Sequence, residues 1–272
     1  VYDDGKFNLD AWEIYIDRWI PNAKELCLCD MKDCINAGYS WGEDYVPVLN
    51  AVHTNHEKRE ETVRAFCEIS KHLEEKLTKV FGKSVDADIV LYIGLCNGAG
   101  WVTKIQERTT VLLGIEKIIE LDWCGKDDMI GLMIHELGHV YQSQYGSLSY
   151  QENSMAEKFL WQLFTEGVAM VFEQEIVGDA EYYHQNKNGW KAWCDQNYEL
   201  LKSSFCRDMT MMTQETQRYF GDWVRFEDHS DVGYYLGARF IRYLLNNDCF
   251  ENIINYPFER VEKEFARFMD SN

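Results

Sequence analysis

The clearest periodicity in the chain lies in residues 55–81, where Val63, Phe66, Ile69, Leu73, Leu77 and Val80 recur three or four positions apart with charges between them. That spacing lays one apolar stripe along a helix, and Gly82 supplies its stop. Residues 8–20 (NLDAWEIYIDRWI) predict a second helix. The character then changes. Residues 88–95 (DIVLYIGL) form a β-type run, Asn97-Gly-Ala-Gly100 offers a β-turn, and 101–105 and 109–115 predict two further strands. Beyond about residue 127 the pattern is almost wholly helical, with long segments at 127–145, 155–177 and about 230–246.

These elements imply an α+β fold: a helical N-terminal part (1–82), a small twisted sheet (83–126) and a helical remainder (127–272). Only three prolines occur, at 21, 47 and 257, and no Gly/Ser-rich linker divides the chain. A single domain over 1–272 is therefore expected.

Chemistry enters with Asp128-Met-Ile-Gly-Leu-Met-Ile-His-Glu-Leu-Gly-His-Val-Tyr141. Asp127 and Asp128 suit an N-cap and first-turn acid. Met129, Met133, Leu137 and Val140 make one apolar stripe. His135 and His139 lie on another face, about 40° apart around the axis, beside Gly131 and Gly138. Two imidazoles one turn apart can each present a ring nitrogen to one zinc ion, at about 2.0–2.1 Å. Glu136 can reach a water on that ion without ligating it. The plain alternative is a solvated helix face that carries two histidines.

Catalytic zinc usually takes three protein ligands and leaves one position open. Residues 155–177 are apolar nearly all round, so that helix is expected to be buried, with Glu166 flanked by Phe159, Leu163 and Met170. An unpaired carboxylate there would be costly, and a bound dication removes the difficulty. An arginine partner or an outlet to solvent would also do so. Gly167 permits close helix packing. Glu173, two turns on, reads as an exposed charge, with a hydrogen-bond acceptor for a ligand imidazole as the alternative.

Together these residues resemble the gluzincin metallopeptidases, and more closely the predicted zinc-dependent proteases of bacteria. The second helix of that group carries Glu-Gly-x-Ala, here Glu166-Gly167-Val168-Ala169, and a later helix carries Gly-Tyr-x-x-Gly, here Gly233-Tyr234-Tyr235-Leu236-Gly237. The resemblance covers roughly residues 88–245. It implies a zincin-like fold, in which the small sheet precedes the active-site helix and its last strand helps form the substrate cleft. It also implies one zinc per chain on His135, His139 and Glu166. The activity implied is peptide-bond hydrolysis of peptide or protein substrates through a metal-activated water, with Glu136 as general base. An oxyanion donor is then required. Tyr234 is the first choice and Tyr235 the second, against the alternative of ordinary core tyrosines, and the loop histidine His229 is a further candidate.

Composition narrows the remaining classes. Acidic residues outnumber basic ones 46 to 27, giving a formal charge of -19, which disfavours nucleic acid and anionic lipid as partners. No apolar run reaches the roughly 18 residues needed to span a bilayer. Nine cysteines without a regular framework suit reduced thiols and a cytoplasmic setting. Cys27, Cys29 and Cys34 are read as structural thiols. His53 and His56 are placed in a polar loop before a helix that Asn55 or Thr54 caps. Two other functions stay open: a zinc hydrolase acting on a non-peptide amide, and a catalytically silent zinc-containing binding or regulatory module.

Overall fold

A computed structural model describes residues 1–20 and 22–271. The elements run β1 (Tyr2–Asp3), β2 (Lys6–Phe7), α1 (Leu9–Trp19), α2 (Ala23–Asn36), a π-helical turn (Trp41–Tyr45), α3 (Val46–Thr54), α4 (His56–Ser70) and α5 (Leu73–Phe81). The sheet follows as β3 (Asp88–Tyr92), β4 (Gly100–Ile105) and β5 (Arg108–Gly114), then α6 (Ile115–Glu120) and α7 (Lys126–Tyr145). The last part holds α8 (Met155–Val177), α9 (Trp190–Gln196), α10 (Tyr198–Asp208), α11 (Val232–Leu245), α12 (Phe250–Ile253) and α13 (Phe258–Asp270). The fold is α+β. It forms two compact units, Val1–Glu136 and Leu137–Asn272, and the division falls inside α7, which runs unbroken through it.

In the first unit the sheet order is β3-β5-β4, with β5 central, parallel to β3 and antiparallel to β4. β5 buries Val111, Leu112 and Leu113 completely, and since successive residues point to opposite faces, the sheet is covered on both sides there. β4 and β5 are joined through Gln106 and Glu107, whose φ values of 47° and 65° are those of a type I′ hairpin turn. Asn8 caps α1 by accepting the Ala11 N–H at 3.0 Å. The buried face of α1 presents Trp12 and Ile16 to a core shared with Cys27, Met31, Leu49, Tyr92 and Leu112. The Trp12 indole also donates to the Ile93 carbonyl at 2.7 Å, which fastens α1 to the end of β3.

Several expectations need correction. The helix over 55–81 is broken at Lys71–His72 into α4 and α5. Beyond the break α5 buries Leu73 and Leu77, while α4 buries Thr62 and Ala65 and leaves Val63 43 % exposed. The expected stripe is therefore not buried throughout, and Val80 at its far end is likewise 44 % exposed. His53 lies in the last turn of α3, not in a loop, whereas Asn55 does cap α4 by accepting the Lys58 N–H at 3.3 Å. Asp127 is not a cap, because α7 begins at Lys126 and both aspartates stand in its first turn. Ile115 opens α6 instead of closing a strand.

The connection between β3 and β4 is strongly braced. Asn97 accepts the Leu95 N–H and donates to the Cys27 carbonyl, each at 3.0 Å. Beneath it the fully buried Glu116 carboxylate accepts the N–H groups of Gly94 (3.0 Å) and Cys96 (3.1 Å). Burial pushes the Glu116 carboxyl above the usual range, and those N–H donors oppose it.

In the second unit α8 is buried on nearly all sides. Ser154 caps it by accepting the Glu157 N–H at 3.2 Å, and Gly178 ends it in the left-handed conformation with φ +85°. α13 buries Phe258, Val261, Phe265 and Phe268, and the Phe265 ring meets Phe240 of α11 edge-on at 5.5 Å. All nine cysteines are free thiols. Among the described residues no helix is long and apolar enough to cross a membrane.

Candidate metal centre

Two close helix approaches and one helix–loop contact set the geometry of the second unit, and each explains a small residue. A Cβ built on Gly138 would lie 2.9 Å from the Ala169 Cα, so α7 and α8 touch backbone to backbone there. One built on Gly167 would lie 2.3 Å from the Gly237 carbonyl oxygen, and one on Gly237 only 2.6 Å from that of Leu163. Real Cβ atoms do not tolerate such distances, so α8 and α11 require glycine at both positions. A Cβ on Gly233 would strike the Phe220 ring at 2.4 Å. The small residues of the Glu-Gly-x-Ala and Gly-Tyr-x-x-Gly elements are thus packing surfaces, and they hold α8 between α7 and α11.

The α7–α8 approach places chemistry at its rim. His139 Nε2 stands 3.2 Å from Glu166 Oε2, with side chains 16 % and 15 % exposed. His135, one turn earlier on the same helix, adds a third donor atom, and all three lie within 4.8 Å of one another. Two donors on a tetrahedral zinc, each about 2.0–2.1 Å from it, are roughly 3.3 Å apart, so the His139–Glu166 separation suits one shared ion. The donor chemistry also fits, being two imidazoles and one carboxylate. Partial exposure of His139 and Glu166 leaves a path for solvent to that side. Within the first unit, Glu136 is 8 % exposed and lies against β4: a Cβ on Gly100 would be 2.7 Å from its Oε1. Glycine at that point of the edge strand gives the Glu136 carboxylate its room.

A second group overlaps the first. His135, Glu173 and His184 are all buried and also bring donor atoms within 4.8 Å of one another. Glu173 is 0 % exposed, which corrects its reading as an exposed charge. Its compensation comes from His184, in the connection after α8. The His184 main-chain N–H meets Glu173 Oε1 at 3.2 Å, and ring Nδ1 lies 3.1 and 2.9 Å from the two carboxylate oxygens.

Known protein families, curated proteins and solved structures give no match to this chain.

The tyrosine candidates separate clearly. Tyr235 is 1 % exposed, packs against Tyr183 and Trp190, and donates its hydroxyl to Asp195 Oδ1 at 2.8 Å. That hydroxyl is committed to holding α11 on α9. Tyr234 is half-buried, with its ring 6.0 Å from Phe220 in an edge contact. His229 stacks on Trp193 at 3.9 Å, and its Nδ1 lies 2.7 Å from the Glu227 carbonyl oxygen.

Two ionisable residues escaped the sequence reading. His184 sits in a polar stretch without periodicity, so only its residue type marked it. Asp231, just before α11, is 6 % exposed, accepts the Gly221 N–H at 3.2 Å, and is pushed up to about 6 by burial and by Asp222, against the field of His184.

Proposed function

We propose that the chain is a zinc-dependent peptidase of the gluzincin type, with His135, His139 and Glu166 as ligands and Glu136 as general base. The observation that carries this reading is the 3.2 Å approach of Glu166 to His139 across a glycine-determined helix contact, one turn from His135. Zinc held there supplies Lewis acidity toward water and toward a carbonyl oxygen. Glu136, next to a ligand but outside the ligand set, takes the proton of the attacking water and returns it to the leaving amine. Gly100 of β4 leaves room for that carboxylate beside the strand. A tyrosine hydroxyl answers the charge that develops on the carbonyl oxygen, and Tyr234 is better suited than Tyr235, whose proton Asp195 holds. Peptides are the expected substrates, and one zinc per chain the expected cofactor.

A second reading, a zinc-containing module without catalysis, draws on the group His135, Glu173 and His184, whose members are all buried and would keep an ion away from solvent. Elemental analysis of the purified protein beside Glu166→Ala and Glu136→Gln tests both. The peptidase reading expects about one zinc per chain in the wild type and markedly weaker binding in Glu166→Ala. Glu136→Gln should keep zinc and lose hydrolysis of a peptide library. A wild type that binds no zinc at neutral pH removes the metal centre. A zinc-loaded Glu136→Gln with undiminished function leaves the module.

A further inference from the structure

We propose that a cleft between the α4–α5 corner and the first turns of α7 binds a small molecule through a phosphate group. The cleft lies wholly inside the first unit and has a volume of about 420 Å³. That is within the roughly 300–1,000 Å³ of small-molecule sites. Lys71, Lys76 and Lys126 bring ammonium groups to it, joined by the ring of His72. Glu68 and Asp127 bring two carboxylates, so the lining is locally positive in a chain whose formal charge is -19. Half-buried Ile69 and Ile130 supply its apolar part.

The break in the helix brings these charges together. In an unbroken helix Lys71 and Lys76, five residues apart, would stand about 140° from each other around the axis. The break at Lys71–His72 turns both to one cleft, with Lys76 one turn beyond His72. Among the described residues Lys71 and Lys76 make no ion pair, although Lys71 acts on Glu68 at longer range. Lys126 pairs with Glu68, and the two side chains are 63 % and 43 % exposed. An exposed pair of this kind contributes little, so Lys126 can exchange the carboxylate for a ligand of higher charge. The lining holds lysines and no arginine. A guanidinium fork matches a planar carboxylate, whereas compact ammonium groups arriving from separate elements suit a tetrahedral phosphate, which has oxygens on all sides. The two isoleucines offer surface to any carbon-bearing portion of the same ligand.

Calorimetric titration of the whole chain with pyrophosphate, phenyl phosphate and inorganic phosphate at low salt tests the cleft, with melting temperatures taken in parallel. Pyrophosphate should bind saturably at one site, and about tenfold more weakly to the double variant Lys71→Ala, Lys76→Ala. The double variant Lys79→Ala, Lys104→Ala removes the same charge outside the cleft and should bind as the wild type does. Equal weakening in both double variants would report only the general field of the chain and overturns the proposal. A wild type that binds none of the three anions overturns it as well. Tighter binding of phenyl phosphate than of inorganic phosphate upholds the cleft as a site for a phosphorylated carbon compound. The reverse order upholds it as a site for inorganic phosphate or its oligomers. Glu166→Ala should bind pyrophosphate like the wild type, so the cleft is judged apart from the proposed metal centre. Loss of binding in that variant would put the anion at the metal centre and overturns the cleft. If the cleft variant does not fold, the His72 ring resonances of the wild type, assigned with His72→Gln, decide instead. They should shift on addition of pyrophosphate, and unmoved resonances overturn the proposal.

Discussion

Asp231 precedes α11 in the left-handed conformation, with φ +58°, and its carboxylate accepts the Gly221 N–H while almost wholly buried. Burial and the nearby Asp222 push its pKa from 3.8 up to about 6. An acid whose folded pKa is raised binds more protons in the native state than in the unfolded one, so stability falls as pH rises through that interval. About two pKa units correspond to about 3 kcal/mol lost between pH 4 and pH 6. Asp231→Asn retains an acceptor for Gly221 and tolerates the left-handed conformation. It should raise stability at pH 7 by up to about 3 kcal/mol and flatten that pH dependence, as urea unfolding at pH 4 and pH 7 would show. Residue by residue, the sequence revealed the ligand candidates on α7, because a 3.6-residue period fixes which side chains share a face. It concealed the burial of Glu173, because the histidine that compensates it lies 11 residues on in an aperiodic connection.

Among the elements, α8 governs the candidate site. It meets α7 through Ala169 and α11 through Gly167, so the position of Glu166 follows from two backbone contacts one turn or less away. Gly167→Ala would set a methyl 2.3 Å from the Gly237 carbonyl oxygen and force the helices apart. Overpacking of this kind costs about 1–3 kcal/mol, and the variant should also bind zinc more weakly because Glu166 moves with its neighbour. Thermal melting and zinc titration on the same sample would check both effects. The helices α1, α8 and α11 were legible, since each ends within two residues of its periodic pattern, whereas α2, α3, α9, α10, α12 and α13 were not delimited. The break between α4 and α5 was not legible either, because each half carries its own apolar spacing and only tertiary contact decides that the halves turn apart. The α6 helix was hidden by a run of apolar residues continuous with β5, where strand and helix give the same reading.

At the scale of the molecule, the α+β architecture was visible as a change of period around residue 88 and a return around 127. The pairing of the strands was not, for periodicity says nothing about partners. The mixed order β3-β5-β4 has a kinetic meaning. β4 and β5 are adjacent in sequence and joined through two residues that already hold the twist of a hairpin, so their ladder can close locally, on a scale of about 1–10 μs. β3 must instead dock in parallel on β5 across the intervening strand, and its pairing waits on a longer loop closure. Pulse-labelled hydrogen exchange during refolding should therefore show β4 and β5 amides protected before those of β3. The strand that bears Gly100 belongs to the earliest piece of the sheet to take shape, so the wall beside Glu136 is in place before the last strand arrives.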